Sequence, residues 1–169
     1  DNGIAYATED RKRYGLNLID DIKRNISTAA LDKLVAHGFV DDNHEYEVAE
    51  GFRKSMNIKA PNVDAVVGKL SGGNQQKVVI GRWVYAGSRI LLLDEPTRGV
   101  DIEAKAQIYA IIRELAAEGR SVIFVSSEIE ELPLVCDRVL VLRDGRLQEE
   151  FKSPNIDQDS LMAACIAGH

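Results

Sequence analysis

The chain has 169 residues, 45% of them hydrophobic, and carries a net charge of -6 from 21 basic and 27 acidic side chains; that suffices for one domain with a core and a small attached subdomain, and excludes two unrelated domains. The acidic balance repels phosphate backbones at long range and argues against a nucleic-acid partner. Cys136 and Cys165 match no metal-ligand spacing, His37, His44 and His169 cluster with nothing, and apolar runs such as 90–93 and 122–125 fall far below the about 18 residues of a bilayer span, so the chain reads as a protein of a reducing compartment whose membrane role, if any, goes through a partner.

Asp1-Asn2-Gly3-Ile4 lacks a charged-then-apolar leader and reads as a chain entered mid-domain. Glu9-Asp10-Arg11-Lys12-Arg13 is a mixed charge cluster that suits a solvated turn as well as a contact surface. Helical periods dominate residues 16–86: Ile19, Ile22 and Ile26 share one face, Leu31, Leu34 and Val35 a second, and Val48, Ala49, Phe52 and Met56 a third, with loops near 41–43 and 61–62. Ser71-Gly72-Gly73 closes this helical insert ahead of a helix over 75–85, on which Trp83 and Tyr85 read as packing residues.

From residue 88 the pattern alternates. Ile90-Leu91-Leu92-Leu93 predicts a buried parallel strand ending in acidic residues, and Ala104, Ile108, Ile111, Ile112 and Leu115 predict a helix over 102–118 stopped by Gly119. A second buried strand follows at 121–125, then a short acidic helix broken near Pro133, a third strand at 138–142, an Asp144-Gly145 hairpin turn into a strand near 147–150, and a helix over 157–167. Strand, helix, strand, helix, strand in this order predicts an open layered α/β sheet.

Two segments carry chemistry. Ile90-Leu91-Leu92-Leu93-Asp94-Glu95-Pro96 would deliver Asp94 to a hard cation and Glu95 to a water attacking a phosphate. Alone it is also an ordinary strand end. Leu70-Ser71-Gly72-Gly73-Asn74-Gln75-Gln76-Lys77, twelve residues upstream, offers a hydroxyl, backbone amides unobstructed by side chains and a helix start to an anion. Alone it is also a common helix cap. No G-x-x-x-x-G-K-[ST] phosphate loop occurs anywhere in the chain.

Leu70 to Lys77 resembles the signature motif of ATP-binding cassette transporters, Asp94-Glu95 their Walker B motif, Thr97-Arg98-Gly99-Val100-Asp101 their D-loop, and Ile4-Ala5-Tyr6-Ala7-Thr8-Glu9 their Q-loop strand. Together with Glu9-Asp10-Arg11-Lys12 and Val125-Ser126-Ser127-Glu128, these segments are similar to the second half of fused two-cassette ATPases driving bacterial import of ribose, xylose, arabinose and galactose. The resemblance covers nearly the whole chain. It implies an α/β fold: a partial P-loop NTPase cassette core with a parallel sheet and an inserted helical subdomain, its phosphate-loop portion missing. The implied divisions are 1–9 as the Q-loop strand, 10–87 as the helical signature subdomain and 88–169 as the distal core.

The resemblance also implies ATP and Mg²⁺ as ligands, with Asp94 holding the metal, Glu95, Ser127 and Glu9 at catalytic positions, and Ser71, Gly72, Gly73, Asn74, Gln75 and Asp101 at the nucleotide. Three residues depart from a generic cassette: Glu9 replaces the Q-loop glutamine, Ser127 the switch histidine and Asn74 the signature glutamine. A carboxylate cannot donate as an amide does, and a hydroxyl lacks the reach and neutral titration of imidazole. Because cassettes pair head to tail, Ser71, Gly72 and Gly73 are expected to serve the nucleotide held by the first cassette of the same polypeptide, and Glu95 a degenerate site. Implied partners are that first cassette, the membrane permease through 10–13 and 20–25, and indirectly a periplasmic sugar-binding protein, at the cytoplasmic face of the inner membrane. The isolated chain is expected to be inactive. Rival readings are a soluble cassette ATPase of translation or DNA repair and a non-catalytic truncated cassette acting as an interaction module.

Overall fold

In the computed structural model, which describes residues 2–36 and 38–166, the chain divides into two compact units, Asp1–Ile123 and Phe124–His169. Asp1, His37 and His169, named above, and the last position of the helix expected over 157–167 lie outside the described residues.

In the first unit, β1 (Ile4–Ala7) pairs in parallel with β4 (Ile90–Asp94), Ile4 opposite Ile90 and Ala7 opposite Leu93. Ala5, Ala7, Leu91 and Leu93 are buried while Ile4 and Tyr6 are exposed, the alternation that a two-residue side-chain period imposes. Gly3, at φ +70°, turns its carbonyl to accept from the amides of Arg89 and Ile90 and starts the pairing. Third in the sheet order, next to β4, stands β5 (Ser121–Val125), which crosses the boundary between the units and, as the edge of this three-stranded sheet, is not buried as expected, Ile123 and Val125 being exposed.

The insert holds α1 (Ile22–Ser27), a short ribbon of β2 (Val35–Ala36) and β3 (Phe39–Val40), α2 (Asp42–Ser55) and α3 (Gly72–Tyr85). A single π-type turn, Arg11–Gly15, precedes it. Asp21 caps α1 by accepting from the Arg24 amide, so Ile19 falls outside the helix and is 87% exposed, whereas Ile22 and Ile26 are buried as predicted. Residues 42 and 43, read above as loop, form the first turn of α2, because the Asp41 carboxylate accepts from the amides of Asn43 and His44. α1 packs on α2 and α3, and its contact with α3 is fastened by Arg82, whose half-buried guanidinium donates to the Asn25 carbonyl and side chain and to the Gly15 carbonyl. Burial holds that guanidinium below the usual arginine range.

Following β4, α4 (Ile102–Ala117) is capped by Asp101, which accepts from the Ala104 amide, and ends before Gly119 at φ +90°. Ile108, Ile111, Ile112 and Leu115 form its buried face.

The second unit departs most from expectation. Residues 129–131 form a 3₁₀ turn and α5 (Leu132–Val135) follows, with Pro133 inside its first turn rather than breaking it, a position where the missing N–H costs nothing. β6 (Arg138–Arg143) pairs antiparallel with β7 (Arg146–Lys152) as a separate two-stranded sheet, so the third expected strand lies outside the parallel sheet. Asp144 and Gly145, at φ 51° and 71°, make the tight turn that folds β7 back onto β6. Val139 and Val141 pack with Leu161 and Ala164 of α6 (Gln158–Ile166) as this unit's core.

Candidate functional site

α3 begins earlier than the sequence suggests: Ser71 is its N-cap, and Gly72 and Gly73 lie in its first turn. Both glycines lie where a side chain would meet a close neighbour. A Cβ on Gly72 would lie 2.5 Å from Arg11 Nη2 and 3.2 Å from the Gly99 carbonyl oxygen, and one on Gly73 would lie 2.5 Å from Ala104 Cβ. The helix start is thus pressed against the turn after β4 and the first turn of α4. Arg11, placed in a charge cluster by the sequence, is only 8% exposed and donates from Nη1 to the Arg98 carbonyl at 3.3 Å. Burial lowers its pKa from the ordinary arginine value.

Ser71 is exposed, and its Oγ accepts from Asn74 Nδ2 at 2.9 Å. Asn74 is buried, and its Oδ1 accepts from the Lys59 amide at 2.9 Å. Gln75 is turned inward, its amide donating to the Val67 carbonyl and its backbone N–H to the Ser71 carbonyl. Lys77 is 1% exposed and donates to the Asn57 carbonyl and to Gln107 Oε1 on α4. Its burial pulls the amine below the usual lysine range, with nearby Lys59 acting in the same direction. Ser71, Asn74 and Asp101 line one small cavity of about 40 Å³ with Lys59, Lys77 and Glu103, which places three of the expected nucleotide residues together.

Asp94 closes β4. Tyr6 sits opposite Leu92, two residues short of Asp94, and its hydroxyl reaches diagonally to donate to Asp94 Oδ2 at 2.7 Å. That bond raises the Tyr6 pKa above its ordinary value. Glu95 follows at φ 46°, a left-handed conformation that costs a non-glycine residue roughly 1–2 kcal/mol. It bends the chain sharply off the strand. Thr97, fully buried, anchors the turn, and Arg98 within it pairs with Glu9 beyond β1. Two of the three unusual positions are therefore placed by partners: Glu9 by Arg98 and Asn74 by Lys59. Ser127, the third, belongs to the second unit, beside Ser126, whose hydroxyl bonds the buried Glu131 and accepts from the Glu128 amide.

Asp94 offers one carboxylate at a strand end, and no group of three or more His, Cys, Asp or Glu able to hold an ion occurs among the described residues. This donor set fits Mg²⁺, which takes one or two carboxylates and fills its remaining positions with water and phosphate oxygens.

Sequence reasoning missed Tyr6, Arg11 and Lys77 as parts of this constellation. For Tyr6 the alternation in β1 was readable, but its contact depends on register with a strand 86 residues away.

A parallel sheet, a helical insert and a glycine-led helix beside an Asp-Glu strand end define an ATP-binding cassette. The chain belongs to the ABC transporter family, whose model matches residues 4–98. It is 52% identical over 167 residues to the uncharacterized ABC transporter ATP-binding protein YphE of Escherichia coli K12, covering 99% of this chain and 33% of that protein. It is 48% identical to the L-arabinose transport ATP-binding protein AraG of Geobacillus stearothermophilus, covering 95% and 31%, and 44% identical to the ribose import ATP-binding protein RbsA of Geobacillus kaustophilus, covering 100% and 34%. The chain thus spans about a third of the length of the curated relatives it matches. Among solved structures it superposes on the ATP-binding cassette MJ0796 in a post-hydrolysis dimer bound to ADP and Pi, with a TM-score of 0.72 at 22% identity, covering 88% of this chain and 62% of that one. A metal-chelate type ABC transporter in an inward-facing conformation gives 0.76 at 16% identity, covering 96% and 62%. These two establish the fold. Among the described residues no helix is long and apolar enough to cross a membrane.

Proposed function

We propose that the chain is the C-terminal part of the second cassette of a fused two-cassette ATPase that energises monosaccharide import at the cytoplasmic face of a bacterial inner membrane. The observation that carries this reading is identity along almost the entire chain to proteins named for arabinose and ribose transport, together with a signature helix assembled against the turn after β4. Its organisation is a Q-loop strand at 1–9, a helical subdomain at 10–87 and a distal core at 88–169. Its partners are the first cassette, the sugar permease and, through the permease, a periplasmic binding protein.

In this reading Ser71, Gly72, Gly73, Asn74 and Asp101 approach the nucleotide of the first cassette, where the start of α3 presents backbone N–H groups and the Ser71 hydroxyl to phosphate, whereas Gln75, expected there too, is buried and spends its N–H groups on the Val67 and Ser71 carbonyls. Asp94, Glu95, Glu9 and Ser127 belong to the other site. Mg²⁺, when bound with nucleotide, would neutralise phosphate charge, and Asp94 would hold it. There Glu9 brings an acceptor already paired with Arg98, and Ser127 cannot exchange a proton near neutrality, so this site turns over slowly. Lacking a phosphate loop, these 169 residues alone are not expected to hydrolyse ATP.

A cavity of about 350 Å³ beside the turn at 11–15, lined by Arg13, Tyr14, Asn17, Asp20, Arg24 and Arg82 among others, supports permease docking at this face. The test is reconstitution of the full protein with its permease in liposomes. ATPase activity should rise on adding binding protein loaded with a pentose or hexose; stimulation by ribosomes or DNA instead would overturn the importer reading.

A further inference from the structure

We propose that Asn74 is a positioning residue that fixes the Ser71 hydroxyl as an outward-facing hydrogen-bond donor; this rests on the reading of Ser71 as a phosphate contact. A side-chain amide has one accepting and one donating end, and its orientation is settled by its partners. At Asn74 the Lys59 backbone N–H can only donate, so the end 2.9 Å from it is the carbonyl Oδ1. Nδ2 is then the end facing Ser71, and it donates to Oγ at 2.9 Å. With a lone pair of Oγ so occupied, the hydroxyl proton is directed away from the buried amide, toward the exposed side of Ser71. An anion approaching from solvent meets a donor already aimed at it, which lowers the reorganisation needed at reaction.

The orientation is itself held in place. Lys59 is tied by its ammonium to Glu103 Oε1 at 2.8 Å, Gln107 Nε2 donates to the same oxygen at 3.1 Å, and Gln107 Oε1 accepts from Lys77, whose amine also bonds Asn57. This chain of contacts joins the loop before α3, the first turns of α3 and the first turns of α4 around the small cavity that Ser71 and Asn74 line. Positive charge also lies beside the same helix start, since a Cβ on Gly72 would lie 2.5 Å from Arg11 Nη2. Arg11, nine-tenths buried, carries its charge to Gly72, and its Nε has no partner.

Substitution can reverse the polarity with little change of shape. In N74D one carboxylate oxygen still accepts from Lys59, but the other can only accept from Ser71, so the hydroxyl proton turns inward. The experiment uses the intact fused protein, with ATPase kinetics for wild type, N74D, S71A and S71A/N74D, and NMR of asparagine side-chain amides in wild type and S71A after selective asparagine ¹⁵N labelling. N74D should lower kcat at least tenfold with KM changed less than twofold, the double variant should be no slower than S71A, and the Asn74 amide signal should shift in S71A. Wild-type kcat in N74D, a double variant slowed by the product of the two single effects, or an unmoved amide signal would overturn the proposal. S71A at the wild-type rate with a shifted amide signal would support the orientation and overturn the phosphate-contact reading beneath it.

Discussion

The guanidinium of Arg11 occupies the space that a side chain at position 72 would need: Nη2 lies 2.5 Å from where a Gly72 Cβ would stand. Gly73 meets Ala104 Cβ at the same distance. The two obstacles differ in mobility, since the end of an arginine can swing aside whereas a helix Cβ moves only with its backbone. G73A should therefore destabilise the protein more than G72A, with overpacking of the order of 1–3 kcal/mol at Gly73. Adding A104G to G73A should recover part of the loss, although glycine within α4 itself costs about 1 kcal/mol. Urea unfolding of G72A, G73A, A104G and G73A/A104G measures this; strictly additive effects of G73A and A104G would show that the Cβ contact is not the cause.

Lys77 gives stability an alkaline dependence. Its folded pKa is lowered by burial, so between that value and the unfolded value of about 10.4 the unfolded chain binds more protons. Stability therefore carries the full penalty below the folded pKa and rises as pH climbs through this window. K77M should abolish that rise. Below the window it should also cost ~1–3 kcal/mol, because the Asn57 carbonyl and Gln107 Oε1 lose their donor. Denaturation midpoints of both proteins across alkaline pH give the comparison.

Tyr6 acts with the opposite sign. Its bond to Asp94 raises the phenol pKa, so above the ordinary tyrosine value the folded chain holds a proton that the unfolded chain has lost, and stability falls as pH rises through the raised value. Tyr6 should ionise late in a spectrophotometric titration, as should Tyr85, whose pKa burial raises. D94N should return one toward the ordinary range and leave the other; two unchanged late transitions would contradict the Tyr6–Asp94 bond.

Glu9 and Arg98 form an ion pair with both side chains substantially exposed, at 45% and 66%. R98A should cost no more than about 1 kcal/mol, and less as salt is added. Thermal melts at low and high ionic strength check this, a salt-independent loss pointing to packing instead.

What the sequence disclosed follows from the range of the forces involved. The run 90–93, the periodic face of α4 and the Asp144-Gly145 turn are local, and each forms where expected. The pairing of β6 with β7 outside the parallel sheet was implicit in that same turn, but an apolar run looks alike whether its neighbour is parallel or antiparallel. Ser71, Gly72 and Gly73 were legible as a motif. Why glycine is needed there was not, because Arg11 and Ala104 reach them only through the fold. Arg11 itself reads as a surface charge beside Asp10 and Lys12; its burial depends on Gly72 leaving room and on the Arg98 carbonyl accepting its hydrogen bond.

The most direct test of the central claim, that the signature and Walker B residues of this chain serve two different ATP sites of unequal competence, is steady-state ATPase turnover of S71A and E95Q in the intact fused protein. The account predicts that S71A abolishes most turnover while E95Q retains it. Loss of turnover in E95Q with S71A active would contradict it.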